Sequence, residues 1–228
     1  MAFKAKTTHY DLGTVSNAVL VSVTENRSAS TVEARGDDGF IVASFVFGEK
    51  SAPSEEYVIK GDVALTGIKM GSVKAVGGDS FALESITVTT SAGAAPTMSV
   101  AGQQVEDGAA SGCTVTLPAI SVSGLHHAQT FGQFTVGGQG AHLTQSTLTI
   151  SGTISTAEKD GETIAFDLTD CRMAISGTIQ VSDAAYGIPT VTPQTGWVLT
   201  SPITETNPDS NYPTYSFTLT KFFAADED

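Results

Sequence analysis

His126, His127 and His142 come nearer than any other residues of this chain to a transition-metal site. Zinc requires three or four convergent ligands. Neighbouring residues on a strand point to opposite faces, so His126 and His127 do not read as co-ligands, and surface or turn histidines are the expectation. Acyl transfer would need a nucleophile on a strained turn, but no G-x-S-x-G occurs and Gly78-Asp79-Ser80 lacks the rest of such an elbow. A G-x-x-x-x-G-K-[ST] phosphate loop is absent. Gly137-Gly138-Gln139-Gly140 leads into a Thr-rich strand pattern, where a phosphate cradle would lead into a helix. The carboxylate pairs Asp37/Asp38, Glu55/Glu56 and Glu106/Asp107 fall in expected loops and read as solvated turns, and a glycosidase pair is not recognisable from such spacing. Arg35-Gly36-Asp37 and the glycosylation-type triplet Asn26-Arg27-Ser28 read as chance in a chain whose first ten residues hold no signal-peptide run. The expectation is a non-enzymatic protein with no metal and no cofactor.

The elements that would carry any site are strands. Val19, Val21 and Val23 alternate with Leu20, Ser22 and Thr24, and Ile41, Ala43, Phe45 and Phe47 share one face. The same two-residue period runs through Leu148 and Ile150, through Ile175, Ile179 and Val181, and through Tyr215, Phe217 and Leu219, each set against Thr and Ser. That is the pattern of half-buried antiparallel strands. Asp37-Asp38-Gly39, Gly77-Gly78-Asp79 and Asp160-Gly161 separate such runs, and each predicts a hairpin. Short helical pieces near 54–58 and 125–134 are weak candidates, so at most one short helix is expected. The fold class is all-β: an antiparallel β-sandwich or barrel with extended loops and arms. One domain over 1–228 is expected, with extended loops near 91–112 and 186–213. A division into two β-units, 1–110 and 111–228, is the alternative. Ser151-Gly152-Thr153-Ile154 recurs as Ser176-Gly177-Thr178-Ile179, which suggests neighbouring strands of one sheet. The 186–213 stretch holds five of the eight prolines and reads as edge strand or extended arm.

Charge narrows the partners. The formal net charge is −13, with 11 Lys and Arg, and none of these falls between Ala75 and Ala157. Sequence-independent binding to nucleic-acid phosphates and polybasic membrane contact both rest on basic groups, so neither a specific nucleic acid nor a membrane is expected as a partner. No segment approaches the ~20 apolar residues of a membrane-spanning helix. Cys113 and Cys171 form no C-x-x-C pair and, in a reducing compartment, read as small buried apolar residues. Lys4 and Lys6 make a basic start, while Phe222-Phe223 precedes the acidic end Asp226-Glu227-Asp228. Pairing of the two ends between neighbouring copies makes Phe3, Lys4, Lys6, Tyr10, Phe222 and Phe223 candidate interface residues. Trp197, the only tryptophan, either pins the 186–213 stretch to the core or anchors an interface.

The whole profile resembles a virion structural protein of a tailed bacteriophage, and is most similar to a tail-tube protein. The resemblance rests on the Thr/Ser/Gly-rich β pattern, the acidic charge, the missing catalytic groups, and the run Val32-Glu33-Ala34-Arg35-Gly36-Asp37-Asp38-Gly39 leading into a hydrophobic strand. It implies six β-sandwich copies closing a ring, with rings stacked around an acidic lumen. The partners would be copies of the chain, in a ring or filament, and other virion proteins. The setting would be a virion whose subunits are made in the host bacterial cytoplasm. The chain departs from that pattern in lacking an amphipathic helix. A capsid decoration or head-tail joining protein, and a carbohydrate-binding or adhesin β-sandwich, are the alternative readings.

Overall fold

Alternation becomes strand over most of the chain. The computed structural model describes residues 10, 12, 17–35, 40–63, 70–105, 128–159, 162–207 and 211–223. Among these residues eleven strands follow in order: β1 (Ala18–Arg35), β2 (Ile41–Ile59), β3 (Val73–Val76), β4 (Asp79–Ser91), β5 (Thr97–Val105), β6 (Phe134–Gly137), β7 (Ala141–Lys159), β8 (Glu162–Val181), β9 (Thr190–Pro193), β10 (Val198–Glu205) and β11 (Thr214–Phe222). One antiparallel sheet runs β1-β2-β5-β4-β7-β8-β11-β10, with β3 beside the start of β4, and β6 and β9 form a separate two-stranded sheet. The fold is all-β and sandwich-like, and the main sheet does not close into a barrel. Since β4 pairs with β7, a single sheet runs through both halves of the sequence.

The greasy phase of each strand builds one core. Ile86 and Val88 of β4, Met98 and Val100 of β5, Leu148 and Ile150 of β7, and Ile175 and Ile179 of β8 are all buried together. A second layer covers this face. Phe131, Phe134 and Trp197 close it over β8 and β11, and Tyr10 and Leu12 close it over β2, β5 and β4. The Ser-Gly-Thr-Ile repeat does lie on paired strands, β7 and β8, and its glycines have one cause. A Cβ on Gly152 would meet the Leu168 side chain at 2.7 Å, and one on Gly177 would enter the Phe217 ring.

Several expectations are corrected. Residues 54–58 are strand within β2, and β6 begins at Phe134, so neither helix candidate forms among the described residues; one 3-10 turn, Ala184–Tyr186, does, with Asp183 accepting from the Ala185 N–H at 2.9 Å. Within 91–112, β5 occupies Thr97–Val105 at the centre of the sheet. There the alternation of Met98 and Val100 with Thr97 and Ser99 outweighs an Ala/Gly/Ser-rich composition. Cys171 is buried but disulfide-bonded; Cys113, the chain's only other cysteine, lies outside the described residues. The reading as a reduced core cysteine is therefore wrong.

Candidate functional site

Surfaces able to meet another chain come from three features of this sheet: its two outer strands, one long hairpin and one neutral face. β1 and β10 stand at the ends of the strand order and pair with no further strand among the described residues. An outer strand presents a row of backbone N–H and C=O groups to any strand that comes alongside. Along β1, Val19-Leu20-Val21-Ser22-Val23-Thr24 has no charge, no proline and no glycine, and Val19 and Val21 are exposed. Such a segment is a strong template for strand addition. β10 is interrupted by Pro202 and by two register shifts, which fit it to an edge position.

The β1–β2 hairpin is fastened to the body by a polar network at its base. Glu25 accepts from Arg27 Nε at 2.7 Å and from the Ser51 hydroxyl at 2.7 Å. The Ser51 N–H donates to Gln104 Oε1 at 2.9 Å, and Gln104 Nε2 donates to Asp79 at 3.2 Å. Together with Lys50 these groups line a cleft of about 360 Å³. The Arg27 and Ser51 donors hold the Glu25 carboxyl at about 2, below its usual 4.5. Burial, and then the Glu25 carboxylate that takes its hydroxyl proton in a hydrogen bond, raise the Tyr10 phenol above 10.0. A depressed carboxyl stabilises the fold above its unfolded value and loses that contribution as pH falls through its folded one. Urea-unfolding stability should therefore drop between about pH 4.5 and about pH 2. Glu25→Gln should flatten the slope in that window, and an unchanged slope would mean that Glu25 is not held as described. Solvent reaches the pair, so the effect is small beside a core substitution.

Glu55 fastens a second segment. It is fully buried and accepts from the Tyr10 N–H at 2.8 Å, the Leu12 N–H at 3.0 Å and the Tyr57 hydroxyl at 2.8 Å. Tyr10 and Leu12 are thereby strapped across the core face, with the Tyr10 ring edge-on to Phe81. Glu55 and Glu56 are thus no solvated loop pair, because strand alternation sends Glu55 inward and Glu56 out.

The opposite face of the sheet is a field of hydroxyls. Val58, Thr97, Thr89, Thr147, Ser176 and Thr218 follow one another across six paired strands. Cross-strand hydroxyl pairs form at Thr89–Thr147, 3.2 Å apart, and Ser54–Ser99, 3.4 Å apart. The neighbouring row, Glu56, Ser99, Thr87, Thr149 and Ala174, contains one charge.

The interface candidates divide. Tyr10 and Trp197 are buried within this chain, and Trp197 Nε1 donates to Gln133 Oε1 at 2.7 Å, so its burial matches the pinning role. Phe223 packs against the core beneath Lys221, whereas Phe222 is exposed. Phe3, Lys4 and Lys6 lie outside the described residues, as do His126 and His127; His142 is exposed on β7. Among the described residues, no cluster of three His, Cys, Asp or Glu side chains is placed to hold a metal, and no helix is long and apolar enough to cross a membrane. The β1 edge and the hairpin base are what sequence reasoning missed. The uncharged 19–24 run signalled the first, while no local pattern marks the second. No protein-family model matches the chain, and no curated protein matches it in sequence.

Proposed function

We propose that the chain is a non-enzymatic structural subunit that assembles with copies of itself into stacked rings around a lumen, as a tail-tube-like component of a virion. The observation that carries this reading is the open sheet, whose terminal strands β1 and β10 each keep an unpaired side among the described residues. A β1 edge docking beside the β10 edge of the next copy is a heterologous contact, and such contacts close into rings or run on as filaments. The hydroxyl face supports the reading in a second way. If it lines the lumen, it gives a passing polyanion few charges to meet, Glu56 and Arg172 among them. The disulfide of Cys171 suits a particle that ends in an oxidising medium.

Sedimentation velocity and negative-stain electron microscopy test this on the purified chain. Rings or filaments are the expected result. Val21→Lys, a charge placed on the β1 edge, should raise the concentration needed for assembly about tenfold, equivalent to ~1.4 kcal/mol. A chain that stays monomeric at every concentration, or turnover of any substrate, would sink the reading.

A further inference from the structure

Two polar networks meet in one side chain. The Tyr10 N–H donates to Glu55 at 2.8 Å, the Tyr10 ring stands edge-on to Phe81 at a centroid distance of 4.9 Å, and the hydroxyl donates to the Glu25 carboxylate. Glu55 and Glu25 belong to the same face of the β1–β2 pair. Glu55 is the register partner of Val23, and Glu25 lies two residues further along β1, opposite Pro53. Tyr10 therefore reaches from a fully buried carboxylate to the cleft at the hairpin base.

The two ends hold different things. On the inner side the strap is docked like a bound peptide. Its Tyr10 and Leu12 N–H groups share the two oxygens of one side chain, Glu55, and the Leu12 side chain seats on Gly102 of β5. Neither residue belongs to a strand ladder, so the strap can lift without breaking the sheet. On the outer side is the hairpin. β2 pairs with β5 over residues 54–58, and from there towards Ile41 its ladder partner is β1 alone among the described residues. Residues 26–29 and 31–35 are exposed. A two-stranded hairpin is marginal in water by itself, so its order depends on its base. There the Ser51 N–H donates to Gln104 of β5 at 2.9 Å, the Ser51 hydroxyl donates to Glu25 at 2.7 Å, and Glu25 in turn takes the Tyr10 hydroxyl.

We infer that the strap and the β1–β2 hairpin form one latch, with Tyr10 as the link: the hairpin is held in one direction while residues 10–12 are docked on Glu55, and it loosens when they lift. Lifting the strap withdraws the phenol from Glu25 and leaves the Ser51–Gln104 bond to hold the base. The two states differ by named contacts at two separate sites, so the coupling is reciprocal. Displacing the strap frees the hairpin, and any contact that steadies the hairpin fastens the strap. The link works within one chain, whether or not copies assemble.

Hydrogen exchange of the full chain, followed by mass spectrometry, tests this with two variants. Tyr10→Phe keeps the strap backbone and the ring but deletes the hydroxyl. Leu12→Ala loosens the strap at its β5 seat. Each should speed exchange of the hairpin amides, residues 26–35 and 41–50, about fivefold or more, while the β7–β8 hairpin exchanges as in wild type. The double variant should exchange no faster than Tyr10→Phe alone, since both changes cut the same link. Unchanged hairpin exchange in Tyr10→Phe overturns the latch. So does a Leu12→Ala chain that bares the strap amides without speeding the hairpin. Equal acceleration in the β7–β8 hairpin would show general loss of stability, and additive effects in the double variant would show two segments loosening independently; either result also overturns it.

Discussion

Replacing Glu55 with alanine should destabilise the folded chain by roughly 3 kcal/mol or more, taking at least ~1 kcal/mol for each buried donor left without an acceptor. Three donors converge on this one carboxylate: the Tyr10 and Leu12 N–H groups and the Tyr57 hydroxyl. The two backbone donors lie on residues that are themselves buried, Tyr10 against Phe81 and Leu12 against Gly102. Neither can turn to water without lifting the strap off the core. Glu55→Gln should fall between wild type and alanine. It keeps one acceptor oxygen, but it sets an amide N–H₂ against a donor. Domains of this kind are stable by only ~5–15 kcal/mol, so the alanine variant should show a clear loss in urea unfolding. It should also become sensitive to proteolysis on the N-terminal side of β1. A loss below ~1 kcal/mol, with unchanged proteolysis, would mean the strap does not depend on this carboxylate.

Glu55 also marks where sequence reasoning reached its limit. Read as one of two adjacent acids, it suggested a solvated turn. Read on β2, it alternates with Glu56, and the strand turns one acid into the core and the other outward. Hairpins were legible because their turn chemistry is local: Gly77-Gly78 does join β3 to β4, and the Asp37-Asp38-Gly39 and Asp160-Gly161 signals fall between paired strands. Strand order was not legible, because the pairing of β2 with β5, or of β4 with β7, joins residues tens of positions apart and leaves no periodic trace. β5 was hidden by its small residues. Gly102 has no side chain because the Leu12 side chain and the Ala82 carbonyl occupy that space, a requirement that appears only when the strap is in place. Tyr10 is an interface candidate as part of the basic N-terminal end, and Trp197 as the lone tryptophan of an irregular stretch. In the fold each closes one side of this chain's own core, and the exposed apolar side chains lie elsewhere, Val19, Val21, Phe40, Ile188 and Phe222 among them.

Removing the Phe217 ring by alanine substitution should cost about 3–5 kcal/mol, and the cost should depend on what stands at position 177. Phe217 and Gly177 are direct register partners on β11 and β8, and the ring lies over the glycine with no room for a Cβ beneath it. Its outer edge meets Phe134 at a centroid distance of 5.1 Å, so the ring joins the main sheet to the β6–β9 layer. Gly177→Val forces the ring off that seat and should destabilise by about 1–3 kcal/mol, the usual cost of overpacking. In the double variant the valine fills part of the space that the ring vacated, so the loss should be smaller than the sum by at least ~0.5 kcal/mol. Urea-unfolding curves of the four proteins read this coupling directly. Strict additivity would mean the ring does not rest on Gly177. Coupling would show that β11 is locked in register to β8 by one aromatic seated on one glycine. That register fixes where β10, the outermost strand beyond β11, presents its edge, so the same four proteins should also differ in assembly in the order of their stabilities.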